Sequence, residues 1–242
     1  MIKTIVYKNK REQKLSPNRF NLIIGSSGSG KTLFLKSLFA SICHNRTGVP
    51  LEEVKSQMLF DSDIETLIEF EDVFSGTVFF IPSCDAYFYR ENYTDMPLHI
   101  RKTLGVYRSW LKRGYSFDDT IENIATISEG NYGGVLKIKV FMAVQKEISS
   151  GDILLVDLIE AGVDAILWKW WIDRIKDLVS DGVQVFLSTH DFFVYTYIRT
   201  IMEKGTIFYF DGGNIKSFSL EEGIPEDSPI LKIPLEVLES AM

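Results

Sequence analysis

The sequence predicts an α/β fold with a largely parallel central sheet, an antiparallel β addition and a helical insertion. Two observations support this prediction. Short apolar runs, typical of strands that are buried on both faces, recur along the chain. Segments whose apolar residues follow a helical period separate several of these runs. Strands that alternate with helices pair in parallel, because each helix carries the chain back to the same edge of the sheet.

The first part of the chain predicts a strand, then a strand–loop–helix unit. Residues 2–7 alternate in polarity like a half-buried strand, and residues 20–24 form a continuous apolar run. Residues 31–44 are predicted as a helix, since their apolar side chains recur at helical spacing at Leu35, Leu38, Phe39 and Ile42. Residues 45–76 are mixed in composition and carry no assignment.

The middle of the chain combines one clear strand with an unusual segment. Residues 77–81 are apolar and end at Pro82, which cannot donate to a sheet ladder. Residues 85–126 are rich in aromatic and charged side chains and are predicted to form a helical insertion. Residues 131–148 are predicted as a helix. We expect all of these elements to belong to a single domain of residues 1–242.

The last part of the chain returns to strands and helices. Residues 153–156 and 183–187 are predicted as buried strands. Between them, residues 164–180 form a strongly amphipathic helix followed by Gly182, with one apolar face at Trp168, Trp171, Ile172, Ile175 and Val179. Residues 206–210 and the following Asp211-Gly212-Gly213 predict a strand that enters a hairpin.

Bulk composition excludes several classes of protein. The net charge of −7 argues against a generic nucleic-acid binder. A basic and aromatic stretch at residues 101–113 leaves a local nucleic-acid contact open, although a solvated helix face is favoured. The apolar runs are too short to insert in a membrane, and residues 1–4 lack a secretory pattern, so a cytoplasmic location is expected. Cys43 and Cys84 have no metal-ligand spacing.

The most informative motif lies between the strand at 20–24 and the helix at 31–44. It matches the phosphate-binding pattern G-x-x-x-x-G-K-[ST] and consists of Gly25, Ser26, Ser27, Gly28, Ser29, Gly30, Lys31 and Thr32. Glycines let successive N–H groups face phosphate oxygens, and the helix dipole favours the same anion. Lys31 can reach the outer phosphates and the Thr32 hydroxyl can ligate Mg²⁺. The motif and its setting predict a P-loop NTPase.

A carboxylate in the second half complements this motif. Asp157 directly follows the apolar run at 153–156, where a P-loop enzyme holds Mg²⁺. The alternative is a helix cap or a turn aspartate, and the upstream phosphate loop favours the metal. We therefore predict Thr32 and Asp157 as the magnesium residues.

Three further short sequence motifs occur along the chain in an order that is typical of one protein family. Ser128-Glu129-Gly130 precedes a predicted helix, Gly162-Val163-Asp164 follows the Asp157 strand, and His190 ends the strand at 183–187. With the phosphate loop, the chain resembles the ABC-type ATPases, and more closely the soluble RecF-like and SMC-like heads, which are also described as AAA-family ATPases. The resemblance covers much of residues 1–30 and 127–195. It implies that Ser128 and Gly130 belong to the signature motif, that residues 162–164 form the interface loop, and that His190 is the switch histidine.

The resemblance also implies partners and a nucleotide. In that family two heads pair head to tail, and each nucleotide lies between one phosphate loop and the other signature motif. A homodimer or a heteromeric complex is therefore expected, with ATP and Mg²⁺ bound. ATP is favoured over GTP because the guanine-reading motif N-K-x-D is absent. Tyr7 lies where the family can place an aromatic ring against adenine, but an ordinary strand aromatic is the favoured interpretation.

One position departs from the family pattern. The family strand usually ends in Asp-Glu, and that glutamate polarises the attacking water, whereas this chain carries Leu158. Water-positioning groups contribute roughly 10²–10⁴ in rate, so slow or partner-dependent hydrolysis is expected. Glu160 is the local substitute, and Glu160 and His190 are the catalytic candidates.

Several functions remain compatible with these residues. We expect an ATPase head in a DNA-maintenance or antiviral-defence complex, an inference from the resemblance alone. The alternatives are a non-hydrolysing ATP-bound scaffold that recruits an effector subunit, and the nucleotide-binding subunit of a transporter. A P-loop kinase or nucleotide transferase would leave Ser128, Gly130 and His190 without roles.

Overall fold

The computed structural model describes residues 1–9, 11–57, 64–81, 83, 141–142 and 144–240. In these ranges the strands are β1 (Ile2–Asn9), β2 (Arg11–Leu15), β3 (Phe20–Gly25), β4 (Glu65–Phe70), β5 (Val78–Ile81), β6 (Ile153–Val156), β7 (Gln184–Thr189), β8 (Thr206–Asp211) and β9 (Asn214–Ser219). The helices are α1 (Lys31–Thr47), α2 (Leu51–Gln57), α3 (Ala165–Ser180), α4 (Phe192–Ile201) and α5 (Pro229–Ser240).

A six-stranded sheet in the order β5-β6-β7-β3-β8-β9 forms the centre of the fold. Neighbouring strands from β5 to β8 pair in parallel, and β9 adds an antiparallel edge through its hairpin with β8. The prediction of an α/β fold with a largely parallel sheet is confirmed. The order places β3 directly beside β7, and β7 beside β6, so the loops that follow these three strands meet at one edge of the sheet.

A second, three-stranded antiparallel sheet has the order β2-β1-β4. The sequence predicted β1 and an antiparallel addition, but it did not predict β2 or β4. A buried glutamine ties the two sheets together: the Gln184 side chain accepts a hydrogen bond from the Ile2 amide at 2.8 Å and donates to the Ile2 carbonyl at 3.1 Å. An amide side chain suits this position because it satisfies a buried donor and a buried acceptor at once.

Each face of the central sheet buries its own apolar core. In β6, for example, Leu154 and Val156 contribute to the core beneath α3 and α4, whereas Ile153 and Leu155 contribute to the core beneath α1 and the antiparallel sheet. Successive strand residues point to opposite faces, so a strand covered on both sides must be apolar throughout. This requirement explains why β3, β6 and β7 appear in the sequence as uninterrupted apolar runs.

Helix α3 follows the prediction closely. Asp164 caps its N-terminus, since the side chain accepts a hydrogen bond from the Leu167 amide at 3.0 Å. Its buried face includes Trp171, Ile172 and Ile175, and Gly182 ends the segment with a φ of 99°.

Other predictions fall largely or wholly outside the described residues. The helical insertion predicted at 85–126 is one of them. Of the helix predicted at 131–148, residues 141–142 and 144–147 are described and are helical. None of the described helices has the combination of length and apolar character that a bilayer crossing requires.

Candidate functional site: a phosphate loop beside a buried carboxylate

The candidate site lies at the carboxyl edge of the central sheet, where β3, β6 and β7 end. A cleft of about 180 Å³ opens there, lined by Ser27, Gly28, Ser29, Gly30, Lys31, Thr32, Leu33, Leu158 and His190. Residues from three separated parts of the sequence thus meet in one cleft. In open α/β sheets, ligands bind outside the carboxyl ends of the strands.

The loop after β3 has a backbone that requires glycine. Gly28 and Gly30 have φ values of 75° and 102°, a region that other residues seldom adopt. Gly25 is required for space instead, because a Cβ there would lie 2.7 Å from the Phe210 carbonyl oxygen and 2.8 Å from the Phe210 Cβ. The loop therefore bends as the phosphate-binding pattern predicts, and it leads into the N-terminus of α1.

Lys31 lies along this loop. Its ammonium donates hydrogen bonds to the Gly25 carbonyl at 2.6 Å and to the Ser26 carbonyl at 2.8 Å, and the residue is only 4% exposed. Burial lowers the pKa of Lys31 from its ordinary value, and the negative charges of Glu160 and Asp157 act in the opposite direction. The two carboxylates thus favour a charged ammonium beside the cleft.

Thr32 and Asp157 are direct neighbours. The Thr32 hydroxyl is 3.0 Å from Oδ1 and 2.9 Å from Oδ2 of Asp157, which is 1% exposed. Ser188 donates a further hydrogen bond to Oδ1 at 2.8 Å. One hydroxyl and one carboxylate fit Mg²⁺, a cation that binds protein oxygens sparingly and completes its shell with water and phosphate oxygens. The residues present therefore fit the metal that the sequence predicts.

Leu158 lines the cleft at the position where an acid was expected. Its φ is 46°, and it is the only residue other than glycine with a positive φ in the described part of the chain. Its amide donates to the Ser188 hydroxyl at 2.8 Å, which fixes this turn against β7. The backbone therefore presents a partly exposed aliphatic side chain to the loop.

Glu160 and His190 form a pair beside the cleft. Oε1 of Glu160 is 3.1 Å from Nδ1 of His190 and accepts a hydrogen bond from the His190 amide at 2.9 Å. Oε2 accepts a hydrogen bond from the Thr189 hydroxyl at 2.9 Å. His190 lines the cleft, and Glu160 contacts the His190 ring.

The structure places the other candidates as follows. Ser128, Glu129 and Gly130 lie outside the described residues, so their predicted contact with nucleotide stays a prediction. Tyr7 is 2% exposed and packs edge-on against Phe34, with ring centroids 5.3 Å apart, so it is an aromatic of the core.

Sequence reasoning missed Ser188. This buried hydroxyl links Asp157 to the amide of Leu158, which makes it part of the site. A polar residue at the end of an otherwise apolar strand was the available signal. It becomes meaningful only once β6 and β7 are known to be neighbours.

Comparison with known proteins identifies the fold. The chain is similar to cbiO1 from Clostridium perfringens, described as part of the ABC transporter complex cbiONQ, with a TM-score of 0.52 and 13% identity over 99% of this chain and 97% of that chain. It is also similar to the dimeric structure of MJ0796, a bacterial ABC transporter cassette, with a TM-score of 0.50 and 17% identity over 93% of this chain and 100% of that chain. The fold is thus that of ABC ATPase cassettes.

The match found by sequence comparison covers a smaller part of the chain than the structural matches. A family model described as Poxvirus A32 protein matches residues 7–49, which include the strand–loop–helix unit. No curated protein matches the chain.

Proposed function

We propose that this chain is an ATP-binding, ABC-type ATPase head that binds Mg²⁺ through Thr32 and Asp157 and hydrolyses ATP slowly. One observation carries the proposal: residues 27–32 of the phosphate loop and His190 line one cleft, and the buried Asp157 contacts Thr32 there, although these parts are far apart in the sequence. The loop amides and Lys31 supply donors for phosphate oxygens, and Thr32 with Asp157 supplies oxygen ligands for the metal.

Calorimetric titration with ATP and Mg²⁺ tests this proposal. We expect saturable binding of ATP that weakens when Mg²⁺ is chelated. GTP should bind less tightly, since the sequence lacks the guanine-reading motif. Absence of heat and of competition with a fluorescent ATP analogue would remove the central claim.

We expect ATP to bring two heads together. The dimeric MJ0796 cassette is a precedent for pairing of this fold. The predicted contact is made by Ser128 and Gly130, which would meet the terminal phosphate bound by the opposite head. A homodimer and a heteromeric complex are both compatible with it.

Light scattering tests this prediction with the Ser128→Arg substitution. Wild type should shift from monomer to dimer when ATP is added under conditions that prevent turnover. The arginine variant should bind ATP at its own loop and stay monomeric, because its bulk and charge occupy the facing surface. Ser217→Arg, an exposed position in β9, is the control for added charge. A variant that pairs as readily as wild type would contradict the assignment of Ser128.

Three roles are compatible with such a head. The likeness to cbiO1 favours a transporter subunit, and copurification with a membrane partner would support that assignment. The resemblance to soluble heads favours a DNA-maintenance or antiviral-defence complex. Leu158 favours a third possibility, an ATP-bound scaffold that recruits an effector and does not hydrolyse. Turnover by the purified chain separates the scaffold from the two ATPase settings.

A further inference from the structure

The Glu160 carboxylate is held by groups of Thr189 and His190. It accepts hydrogen bonds from the His190 amide and the Thr189 hydroxyl and also contacts Nδ1 of the His190 ring. The Glu160 side chain is 11% exposed. A carboxylate engaged in this way is poorly placed to activate a water molecule itself. Its position suits a different task, which is to hold the ring of His190.

The contact with Glu160 favours one position for the proton of a neutral His190 ring. An ionised carboxylate has only acceptor lone pairs, so the 3.1 Å contact between Nδ1 and Oε1 favours the form of the ring that carries its proton on Nδ1. In a neutral imidazole Nε2 is then unprotonated and acts as an acceptor. The His190 side chain is 44% exposed and lines the cleft, and no described residue bonds to Nε2. A neutral His190 therefore places a proton acceptor on the wall of the cleft.

The other acids near the cleft are already engaged. Asp157 accepts hydrogen bonds from Thr32 and Ser188 and is the metal candidate. Asp191 caps α4, since it accepts hydrogen bonds from the amides of Phe193 and Val194 at 2.7 and 2.9 Å. Among the described residues that line the cleft, His190 is thus the side chain suited to accept a proton, because Lys31 donates hydrogen bonds to the carbonyls of its own loop.

We propose that Glu160 and His190 replace the missing acid at position 158, with His190 as the general base and Glu160 as its positioning residue. This inference rests on the proposed ATPase function. Nε2 takes a proton from water while the water oxygen bonds to the γ-phosphorus. The bond from that phosphorus to the bridging oxygen breaks, and ADP leaves with the electron pair. The imidazolium is stabilised by Glu160 and returns its proton to phosphate or solvent, as the histidine of a hydrolase triad does.

Glu160→Gln tests the positioning role, because it should lower ATP turnover without weakening ATP binding. It keeps the shape of the side chain and removes the charge that stabilises the imidazolium. We expect kcat to fall at least about tenfold, which is less than the ~10²–10⁴ that a general base itself contributes, because Glu160 acts through His190. ATP affinity should be unchanged or slightly higher, because the negative charge of Glu160 acts on Lys31 and opposes bound phosphates. Glu69→Gln, an exposed site in β4, removes the same charge away from the cleft and should leave kcat unchanged.

Nitrogen NMR of histidine-labelled protein provides a readout that needs no turnover. The His190 signals are identified by their loss in His190→Ala. In nucleotide-free wild type whose ring is neutral, as its nitrogen shifts show, we expect a protonated Nδ1 and an unprotonated Nε2. Glu160→Ala should shift the ring towards the opposite tautomer. A wild-type ring with its proton on Nε2 would overturn the proposal.

The outcomes separate this inference from the proposed function. Loss of all ATP binding in wild type would remove the ATPase head itself. Wild-type protein that binds ATP but shows no turnover at saturating MgATP, or whose kcat is unaffected by Glu160→Gln, would overturn the Glu160–His190 base and leave the nucleotide-binding head intact.

Discussion

Replacing Lys31 by alanine should weaken ATP binding by about tenfold or more. Lys31 is the cation of the phosphate loop, and a hydrogen bond to a charged group contributes roughly 1.5–3 kcal/mol, which corresponds to about 10- to 150-fold in Kd. Calorimetric titration of wild type and variant at equal ionic strength measures the effect. Lys14→Ala is the matched control, since it removes one exposed cation in β2.

The fold of the Lys31→Ala variant must be checked as well. Lys31 donates to the carbonyls of Gly25 and Ser26, so alanine also removes two contacts within the loop. Ser26 is exposed and its carbonyl can bond to water instead, whereas the bond to Gly25 is buried, so we expect a modest fall in melting temperature. Equal ATP affinity in Lys31→Ala and wild type would refute the phosphate-loop assignment.

The parts of the fold that the sequence predicted are those with a strong local signal. Strands β3, β6 and β7 are buried on both faces and leave apolar runs, and α3 combines a capping aspartate with an amphipathic period. Strand β2 has the sequence Arg-Glu-Gln-Lys-Leu, which carries almost no apolar signal. It is a strand because it pairs with β1, so its structure depends on the neighbouring strand and not on its own sequence pattern.

The candidate site also combines features that the sequence could predict with features that it could not. The phosphate loop and Asp157 could be predicted because each has a fixed local setting, a strand end followed by a particular residue type. The link from Ser188 to Asp157 and the contact between Glu160 and His190 could not, because both depend on the register of β6 against β7. Glu160 was proposed from its proximity to Leu158, and its engagement with Thr189 and His190 was visible only in the structure.

Leu158→Glu should raise ATP turnover by about tenfold or more, which corresponds to roughly 1.4 kcal/mol of activation free energy. The substitution places an acid where the resembled family carries its water-polarising glutamate. Leu158 is partly exposed and lines the cleft, so the new carboxylate can remain hydrated and need not be buried without a partner. Its positive φ strains leucine and glutamate alike, so the backbone should not add a new cost.

Leu158→Gln is the matched control for this prediction. Glutamine has nearly the same size as glutamate but is a far weaker base, so a gain seen with glutamate alone would identify proton acceptance as the missing function. Turnover should be measured beside thermal melting and ATP affinity. A folded, ATP-binding Leu158→Glu protein that is no faster than wild type would show that the leucine does not limit hydrolysis.

Combining Leu158→Glu with Glu160→Gln tests whether a glutamate at position 158 and the Glu160–His190 pair perform the same chemical step. If the Glu160–His190 pair serves as the base because position 158 lacks an acid, a glutamate at 158 makes that pair dispensable. Leu158→Glu should then raise turnover by a larger factor in the Glu160→Gln background than in wild type. Such non-additivity is expected of two groups that perform one task. Equal factors in both backgrounds would mean that Glu160 acts elsewhere, for example on the structure of the His190 turn.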